Sequence, residues 1–427
     1  MLITDTSTNF VREPLSAPMG FKGSYLSELW QVAVRLSTQS HTGIGVGVQS
    51  VLWSDASVFA SASQAAGNAW MFSMTAHALA LAKGLDFSDP FSLLNTLLPQ
   101  VHEYGKKITG NPNLRKTFAL NSLVAVDHAA WQLYASVKGI TELTDLIPES
   151  FRPALQGRQE ALCSIPLITY GMAPDEARNM AEKGHFLLKI KIGADPDKDG
   201  SQEKMLAWDI ARLEKIHAAL KDLTTPYTDS GRILYYLDAN GRYDSKERLL
   251  QLLDRADAIG ALERIVILEE PFPEEHLVDV SALPVRIAAD ESAHSDADAI
   301  QRIDMGYTAI ALKPIAKTMS MTLRVLQEAH KRNIPCFCAD LTVNPWMVDI
   351  NKSIAARIAP LPGIKIGVLE SNGPQNYANW SAMKTQHPLY VPQKELDPQN
   401  GLFPLNEEFY RCTGGMFSKA KYYANLV

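Results

Sequence analysis

The sequence predicts an α/β fold in which a closed barrel of parallel strands accompanies a separate N-terminal domain. Five short runs are mostly apolar before their last residue, as is typical of strands buried on both faces of a sheet. They cover residues 186–191, 234–238, 265–269, 285–290 and 309–313. Intervals of roughly 20 to 50 residues leave room for a crossover helix each time. Each run ends in a residue that can bind a metal or move a proton, and parallel strand ends meet at the C-terminal mouth of a barrel.

Length and composition fit this fold and exclude several classes of partner. The 427 residues are enough for a barrel of about 250 residues and a further domain. A net charge of −6, with acidic and basic residues interspersed, argues against a nucleic-acid or anionic-membrane partner. Four cysteines in a chain of this length do not make a disulfide framework. No apolar run is long enough to span a membrane and no signal-peptide pattern begins the chain, so we expect a soluble, cytoplasmic protein.

The N-terminal part begins with a predicted antiparallel strand pair. Residues 29–36 and 43–48 read as two strands joined by a polar turn. Gly43, Gly45 and Gly47 occupy alternate positions of the second strand, and no helix start follows at the spacing of a phosphate-binding loop. The alternating glycines therefore indicate a thin strand.

Helical periodicity follows these strands, over residues 55–83 and again over residues 114–138. The second helix carries an apolar stripe that is interrupted by Asp127. Asp127 and its neighbour His128 are expected to be a satisfied polar pair rather than catalytic groups.

Alternation of strands and helices begins near residue 163. Additional strands are predicted at residues 164–170, 334–340 and 364–370, which brings the count to the eight strands of a (β/α) barrel. The predicted barrel helices cover residues 175–184, 202–221, 245–259, 296–305, 319–332 and 352–359. The polar, irregular tail is expected to fold back over the N-terminal domain. We therefore expect domains at residues 1–155, 156–375 and 376–427.

Three of the predicted strands end in carboxylates, namely Asp238, Glu269 and Asp290. Three carboxylates cannot share a pocket without compensation by positive charge. Their oxygens are the hard ligands that suit Mg²⁺ or Mn²⁺, with water or substrate oxygens completing the coordination. The sequence therefore predicts a divalent metal site at the barrel mouth.

Lysines occupy the ends of two other strands. Lys189 and Lys191 alternate, so both point into the barrel, and two neighbouring ammonium groups are expected to lower each other's pKa. A lysine whose pKa is lowered toward neutral can act as a general base. Lys313 reaches the mouth from the opposite side. A metal between opposed lysines suggests that a substrate carboxylate binds Mg²⁺ while one lysine removes the α-proton and the other returns a proton or stabilises the enediolate.

These residues lie in motifs that resemble the mandelate racemase/muconate lactonizing branch of the enolase superfamily. The motifs are Lys189-Ile190-Lys191, Leu237-Asp238-Ala239-Asn240, Leu268-Glu269-Glu270-Pro271, Ala289-Asp290-Glu291-Ser292 and Leu312-Lys313-Pro314. The resemblance covers about residues 20 to 380. It implies a modified (β/α)₇β TIM barrel beneath an N-terminal α+β capping domain that the C-terminal tail completes.

The resemblance also implies roles for six residues of these motifs. Asp238, Glu269 and Asp290 would be the Mg²⁺ ligands. Lys191 and Lys313 would be the acid/base pair, and Lys189 would hold the substrate carboxylate. The Asp290 and Lys313 motifs resemble those of the muconate lactonizing subgroup.

The predicted substrate contacts come from three parts of the chain. The seventh strand ends in Asp340 and carries no histidine, unlike mandelate racemase itself. Dipeptide epimerases of the subgroup carry Asp-x-Asp on the eighth strand to bind the substrate's ammonium group, where this chain has Glu370 and Asn372. Phe21 and Trp53, in the capping loops, are expected to contact an apolar portion of the substrate.

The favoured function is a racemase or epimerase that acts on a small-molecule carboxylate, of the dipeptide or N-acyl amino acid type. The alternatives within the subgroup are a cycloisomerase or lyase, such as a muconate lactonizing enzyme, an o-succinylbenzoate synthase or an acid-sugar dehydratase. A third hypothesis is a metabolite-binding protein without catalytic activity. The opposed lysines argue against it, because binding alone needs no opposed bases. The resemblance further implies a homo-oligomer.

Overall fold

The computed structural model describes residues 1–21, 24–392 and 396–427, with the side chains of residues 20 and 21 left out. The N-terminal part contains a three-stranded antiparallel sheet in the order β1-β2-β3. Its strands are β1 Asp5–Phe21, β2 Ser24–Ser37 and β3 Thr42–Gln49. The second and third strands confirm the predicted pair.

Six helices accompany this sheet. They are α1 Val51–Ser54, α2 Ala56–Ser61, α3 Gln64–Ala82, α4 Pro90–Thr109, α5 Lys116–Lys138 and α6 Leu143–Leu146. The prediction of one continuous helix over residues 55–83 is wrong. Asp55 accepts hydrogen bonds from the backbone N–H groups of Ser57 and Val58, and Ser63 accepts one from Ala66, so each begins a new helix as an N-cap. Helix α5 confirms the predicted helix over residues 114–138.

The glycines of β3 allow the sheet to pack directly on α5. A Cβ atom at Gly43 would lie 2.1 Å from the carbonyl oxygen of Ala129, and one at Gly45 would lie 2.0 Å from that of Ala125. No side chain fits at these distances. The prediction of a thin strand is therefore confirmed, with close approach to a buried helix as its physical reason.

The second sheet is the predicted barrel. Its parallel strands are β4 Ala161–Ile165, β5 Leu167–Ile168, β6 Leu187–Lys191, β7 Leu234–Asp238, β8 Ile265–Glu269, β9 Ile287–Ala289, β10 Ala309–Leu312, β11 Cys336–Cys338 and β12 Gly367–Glu370. Strand β12 pairs with β4, while β5 pairs with β6. Only Pro166 separates β4 from β5, so the sheet closes on itself. Counted as one strand, β4 and β5 complete the eight strands of a TIM-type barrel.

Helices surround the barrel on its outer side. They are α7 Pro174–Glu182, α8 Gln202–Leu220, α9 Lys246–Ala258, α10 Asp296–Asp304, α11 Pro314–Lys317, α12 Met319–Lys331 and α13 Pro345–Ala355. The helix predicted at residues 352–359 in fact begins at Pro345, where the Asn344 side chain caps the backbone N–H of Met347. All of its residues are buried, so no amphipathic period marked its start.

The connection between β8 and β9 differs from the other connections between barrel strands. Between Glu269 and Ile287 the chain, which is described throughout this stretch, forms no helix. Pro271, Pro273 and Pro284 interrupt the connection, and proline removes a helical hydrogen bond and clashes with the preceding turn. This interval, which leaves room for a crossover helix, is therefore an irregular connection.

The C-terminal segment returns to both sheets. Its elements are α14 Gly373–Asn376, α15 Trp380–Lys384, β13 Leu402–Pro404, α16 Glu407–Cys412 and α17 Lys421–Ala424. Strand β13 pairs antiparallel with β4. The carbonyl oxygens of Leu426 and Val427 accept hydrogen bonds from Asn9 and Arg35 of the N-terminal sheet. Short 3₁₀ helices lie at Glu149–Leu155, Leu262–Arg264 and Thr413–Gly415. Across the part of the chain described here, no helix combines the length and hydropathy required to cross a membrane.

Candidate active site

The predicted metal ligands and lysines meet at the C-terminal mouth of the barrel. Lys189 and Lys191 lie on β6, Asp238 and Glu269 end β7 and β8, Asp290 follows β9, and Lys313 follows β10. All six are buried. Lys189 Nζ lies 2.9 Å from Asp238 Oδ2 and 2.8 Å from Glu269 Oε2, so a single ammonium group joins two strand ends.

The three carboxylates experience different electrostatic environments. Burial, with the charge of Asp290 acting in the same direction, raises the pKa of Glu269. Burial acts the same way on Asp290 and Asp238, but the neighbouring lysines outweigh it. Lys313 and Lys317 hold the pKa of Asp290 well below its usual range, and Lys189 and Lys191 lower that of Asp238. Glu269 is thus the carboxylate whose charge the surrounding ammonium groups compensate least.

The donor set fits a hard divalent cation. Glu269, Asp290 and Glu291 bring one oxygen each within 4.8 Å of one another. Glu269 Oε1 is buried and accepts no hydrogen bond from any described residue. Asp238, at the end of β7, also lies beside these carboxylates, as shown by the Lys189 ammonium group that it shares with Glu269. Buried carboxylates with an unsatisfied oxygen are the environment that a Mg²⁺ or Mn²⁺ ion would complete.

The candidate catalytic lysines are each held by acceptors. Lys191 Nζ donates to Asp238 Oδ2 at 2.6 Å and to Asn240 Oδ1 at 2.5 Å. Lys313 Nζ donates to Asp290 Oδ2. Although burial opposes it, the surrounding carboxylates raise the pKa of Lys189 well above its usual value and also raise that of Lys313. The prediction that the neighbouring ammonium group lowers the pKa is wrong for Lys189, because three carboxylates lie within 3.1 Å of its ammonium group.

Trp53 of α1 extends from the N-terminal part into the barrel mouth. Its ring centre lies 4.7 Å from Lys313 Nζ, and its indole Nε1 lies 3.4 Å from Asp290 Oδ2. Met19 of β1 and Ser50 line the same cavity. Trp53 lies in the cavity where a substrate contact was predicted, and that contact stays a prediction. The side chain of Phe21, the other predicted contact, lies outside the described residues.

A second polar group lies on the other side of Lys189. Glu370 Oε2 lies 3.1 Å from Lys189 Nζ and accepts the backbone N–H of Asp340 at 3.1 Å. Asp340 Oδ2 accepts the backbone N–H of Asn372 at 2.6 Å. Burial, together with the charge of Glu370, raises the pKa of Asp340 to about 7. Asp340 Oδ1 and Asn372 Oδ1 accept no hydrogen bond from the described chain, and both residues line the cavity.

Comparison with known proteins identifies the family. Residues 172–396 match the family described as "Enolase C-terminal domain-like". The chain belongs to the enolase superfamily. The resemblance in its strand-end motifs is therefore confirmed by the family match. No curated protein sequence matches the chain.

Several solved structures share the enolase-superfamily fold of this chain. A mandelate racemase/muconate lactonizing protein from Herpetosiphon aurantiacus is 18% identical, with a TM-score of 0.65 and coverage of 95% of this chain and 96% of that one. A dipeptide epimerase from Enterococcus faecalis V583, complexed with Mg and the dipeptide L-Leu-L-Tyr, is 17% identical, with a TM-score of 0.65 and coverage of 95% and 98%. The L-Ala-D/L-Glu epimerase from Bacillus subtilis is 17% identical, with a TM-score of 0.63 and coverage of 88% and 92%.

Three further residues of this superfamily member contact the predicted ones, although the sequence analysis gave them no role. Asn240 accepts from Lys191 and donates to Glu291 Oε1 at 3.1 Å. Lys317 donates to the backbone oxygen of Asp290, and Tyr236 donates to Glu269 Oε2. Spacing gives a signal for two of them. Tyr236 lies two residues before Asp238 on the same strand face, and Lys317 lies four residues after Lys313, about one helical turn along.

Proposed function

We propose that this protein is a Mg²⁺-dependent racemase or epimerase that removes and returns the α-proton of a carboxylate substrate. The observation that carries the proposal is the order of the strands. Lys191 ends β6 and Lys313 follows β10, and the three strands between them, β7, β8 and β9, lead to Asp238, Glu269 and Asp290. A substrate held at the carboxylates would therefore have one lysine on each side.

Each lysine has a distinct task in this proposal. Lys191 takes the α-proton from one face of the substrate, and Lys313 delivers a proton to the opposite face, so that the configuration inverts. For the other enantiomer the two lysines exchange tasks. Removing the proton leaves negative charge on the substrate carboxylate, and the Lys189 ammonium stabilises that charge.

Asp238, Glu269 and Asp290 would hold the metal ion. Mg²⁺, when bound, would supply positive charge beside the substrate carboxylate and so favour loss of the α-proton. The unsatisfied oxygen of Glu269 and the raised pKa of that residue support this assignment. The presence of Mg in the similar dipeptide epimerase from Enterococcus faecalis V583 agrees with it.

The substrate class is proposed from the free acceptors of the cavity. Asp340 Oδ1 and Asn372 Oδ1 are buried acceptors without a described donor, and Glu370 lies beside them. A buried acceptor without a donor costs free energy, so a substrate that brings N–H groups is favoured. The ammonium group of a dipeptide and the amide N–H of an N-acyl amino acid both meet this requirement. One of the similar structures is a dipeptide epimerase by name, and another is an L-Ala-D/L-Glu epimerase.

The proposal includes the arrangement of the chain around the site. Residues 1–155 would form the capping domain, residues 156–375 the catalytic barrel, and residues 376–427 a tail that completes the cap. The contact of Trp53 with Asp290 supports the capping role. The hydrogen bonds of Leu426 and Val427 with the N-terminal sheet support the position of the tail. The predicted cytoplasmic location and homo-oligomeric state remain predictions.

Proton NMR in D₂O tests this function. The purified protein with Mg²⁺ would be mixed with pooled dipeptides, N-acyl amino acids and hydroxy acids, and the α-proton signals followed. We expect the α-proton signal of a dipeptide or N-acyl amino acid to disappear. The signal should persist in the double variant that combines Lys191→Ala with Lys313→Ala. Lys352→Ala is the matched control, because Lys352 is also buried and paired, with Asp349 at 2.6 Å, outside the site.

The outcome also separates the proposal from the other readings. Elimination or ring closure of a substrate without inversion would assign the protein to the lyases or cycloisomerases of the family. Metal and ligand binding with no chemical change in any compound would favour a binding protein.

A further inference from the structure

The segment that follows Lys191 is held by hydrogen bonds from several elements. The Ile192 N–H donates to the backbone oxygen of Asp238 at 2.9 Å, and the Ile192 oxygen accepts from the Tyr170 hydroxyl at 3.1 Å. The Gly193 oxygen accepts from Arg242 Nε at 3.3 Å. The backbone directly beyond Lys191 is therefore fixed to neighbouring strands and loops rather than to solvent.

Asp209 of α8 provides the only carboxylate contact to this segment within the described chain. Its two oxygens accept the Gly193 N–H at 2.7 and 2.9 Å, and Oδ2 also accepts the Tyr243 hydroxyl at 2.8 Å. Tyr243 belongs to the loop that follows β7, and this loop carries Asn240. Asp209 thus joins the segment after Lys191 to the loop whose asparagine contacts the Lys191 ammonium.

Gly193 allows the two loops to pack closely. Its φ of +79° lies in the left-handed region, which favours glycine. A Cβ atom at this position would lie 2.6 Å from Arg242 Cβ. The backbone after Lys191 is therefore both conformationally restricted and in direct contact with the loop after Asp238.

We propose that Asp209 is a positioning residue that fixes the Lys191 ammonium opposite Lys313 by joining Gly193 to the loop of Asn240. This inference rests on the proposed two-lysine function and extends it to a residue outside the mouth. Asp209 does not touch the ammonium itself. It fixes the position of the end of β6, which carries Lys191, relative to the loop after β7, which carries Asn240.

The chemistry of the contact requires a carboxylate. The donors that face Asp209 are the Gly193 N–H and the Tyr243 hydroxyl, and a carboxylate accepts from both without presenting a donor of its own. Asparagine would place its NH₂ group against at least one of these donors. Asp209 is fully buried, so its oxygens would be costly to bury without these hydrogen bonds.

The test measures α-proton exchange in D₂O separately for the two enantiomers of the substrate. Lys191→Ala first identifies the enantiomer whose exchange depends on Lys191. We expect Asp209→Asn to slow exchange of that enantiomer by about 10- to 100-fold, the scale of a displaced catalytic group. Exchange of the other enantiomer, which depends on Lys313, should change by less than about threefold, because the Lys313–Asp290 pair lies on the other side of the site. Asp349→Asn is the matched control, because it alters a buried carboxylate that is paired with Lys352 and His387. It should slow exchange of both enantiomers equally or of neither.

A second readout does not depend on a substrate. Protein labelled with ¹³C at the lysine ε-carbons gives an NMR signal for Lys191, assigned by its loss in Lys191→Arg. Asp209→Asn should shift the Lys191 signal and leave that of Lys313 in place. If Asp209→Asn does not fold, Tyr243→Phe removes one donor of the same contact and should produce a smaller shift in the same direction.

Two results would overturn the inference. Equal slowing of both enantiomers would show a general structural role, and an unchanged Lys191 signal in both Asp209→Asn and Tyr243→Phe would show no effect on that residue. The failure of the proposed function has a different signature, in which the unmodified protein exchanges no α-proton from any compound. In that case the Lys191 signal alone decides the inference.

Discussion

Trp53 and Asp290 lie 3.4 Å apart, from the indole Nε1 to the carboxylate Oδ2, so a residue of the N-terminal part contacts a candidate metal ligand of the barrel. Both residues are buried. The same indole ring lies 4.7 Å from the Lys313 ammonium. The N-terminal part therefore takes part in the electrostatics of the barrel mouth in addition to covering it.

Replacement of Trp53 tests this contact. We expect Trp53→Ala to lower kcat/KM by about tenfold, because a buried cation–π contact of about 1–2 kcal/mol is lost from Lys313. Trp53→Phe keeps an aromatic face without the N–H group and should retain most of the activity. Steady-state epimerisation rates of the three proteins would measure the effect. Equal losses in Trp53→Ala and Trp53→Phe would assign the role to the N–H group instead.

The assignment of the third metal ligand to Asp238 rather than Glu291 can be tested by substitution. Glu291 lies close to Glu269 and Asp290, but Asp238 is the predicted third ligand. Asp238→Asn should lower Mg²⁺ affinity by more than about tenfold, since a charged oxygen ligand is lost. Glu291→Gln should change the affinity by less than about threefold. Titration calorimetry would measure both, and the reverse ranking of the two variants would transfer the ligand role to Glu291.

The contact between β3 and α5 predicts an effect on stability. Gly45→Ala places a methyl group 2.0 Å from the carbonyl oxygen of Ala125, so the sheet and helix must separate. We expect the free energy of unfolding to fall by about 3 kcal/mol. At Gly171 a Cβ atom would meet no atom within 4 Å, so Gly171→Ala is the control and should change stability by less than about 0.5 kcal/mol. Urea unfolding followed by circular dichroism would compare the two, and equal values would contradict the packing argument.

Asp127 predicts a pH dependence of stability. It is buried in α5, where it accepts the Ser320 N–H at 3.2 Å, and burial raises its pKa from 3.8 to about 6. Because the folded protein favours the protonated form, Asp127 contributes most stability below pH 3.8 and loses that contribution as the pH rises to about 6. Asp127→Asn lacks this titration. The stability of the unmodified protein relative to the variant should therefore fall by up to about 3 kcal/mol between pH 4 and 6 and stay constant above.

Urea unfolding of both proteins between pH 4 and 8 measures this difference. A difference that is constant over the whole range would show that Asp127 has an ordinary pKa. A difference that increases with pH would show that hydrogen bonds from Ser320 outweigh burial.

The strands that carry the site were predictable because their signals are local. A buried strand that ends in a charged residue is visible within six residues, as in the run that ends at Asp238. Strand β1 lacked such a signal, since Glu13 and Leu15 alone among its described side chains are buried and it contains Pro14 and Pro18. The predicted start of α13 was wrong for the opposite reason, because every residue of the helix from Pro345 onward is buried.

Contacts between distant residues were not predictable from local patterns. The hydrogen bond from the Asp340 N–H to Glu370 joins two strands that lie 30 residues apart, and that from Gly193 to Asp209 joins a loop to a helix. The predicted lowering of the Lys189 pKa was wrong for the same reason. The sequence places Lys189 beside Lys191, whereas the fold surrounds Lys189 with Asp238, Glu269 and Glu370.

In the proposed function, Lys191 and Lys313 act on opposite faces of one α-carbon. The measurement that tests it most directly is α-proton exchange in D₂O for each enantiomer of the substrate, in the unmodified protein, Lys191→Ala and Lys313→Ala. We expect each variant to lose exchange from one enantiomer and retain it from the other, with opposite preferences. Loss of exchange from the same enantiomer in both variants, or full exchange from both enantiomers in either one, would contradict it.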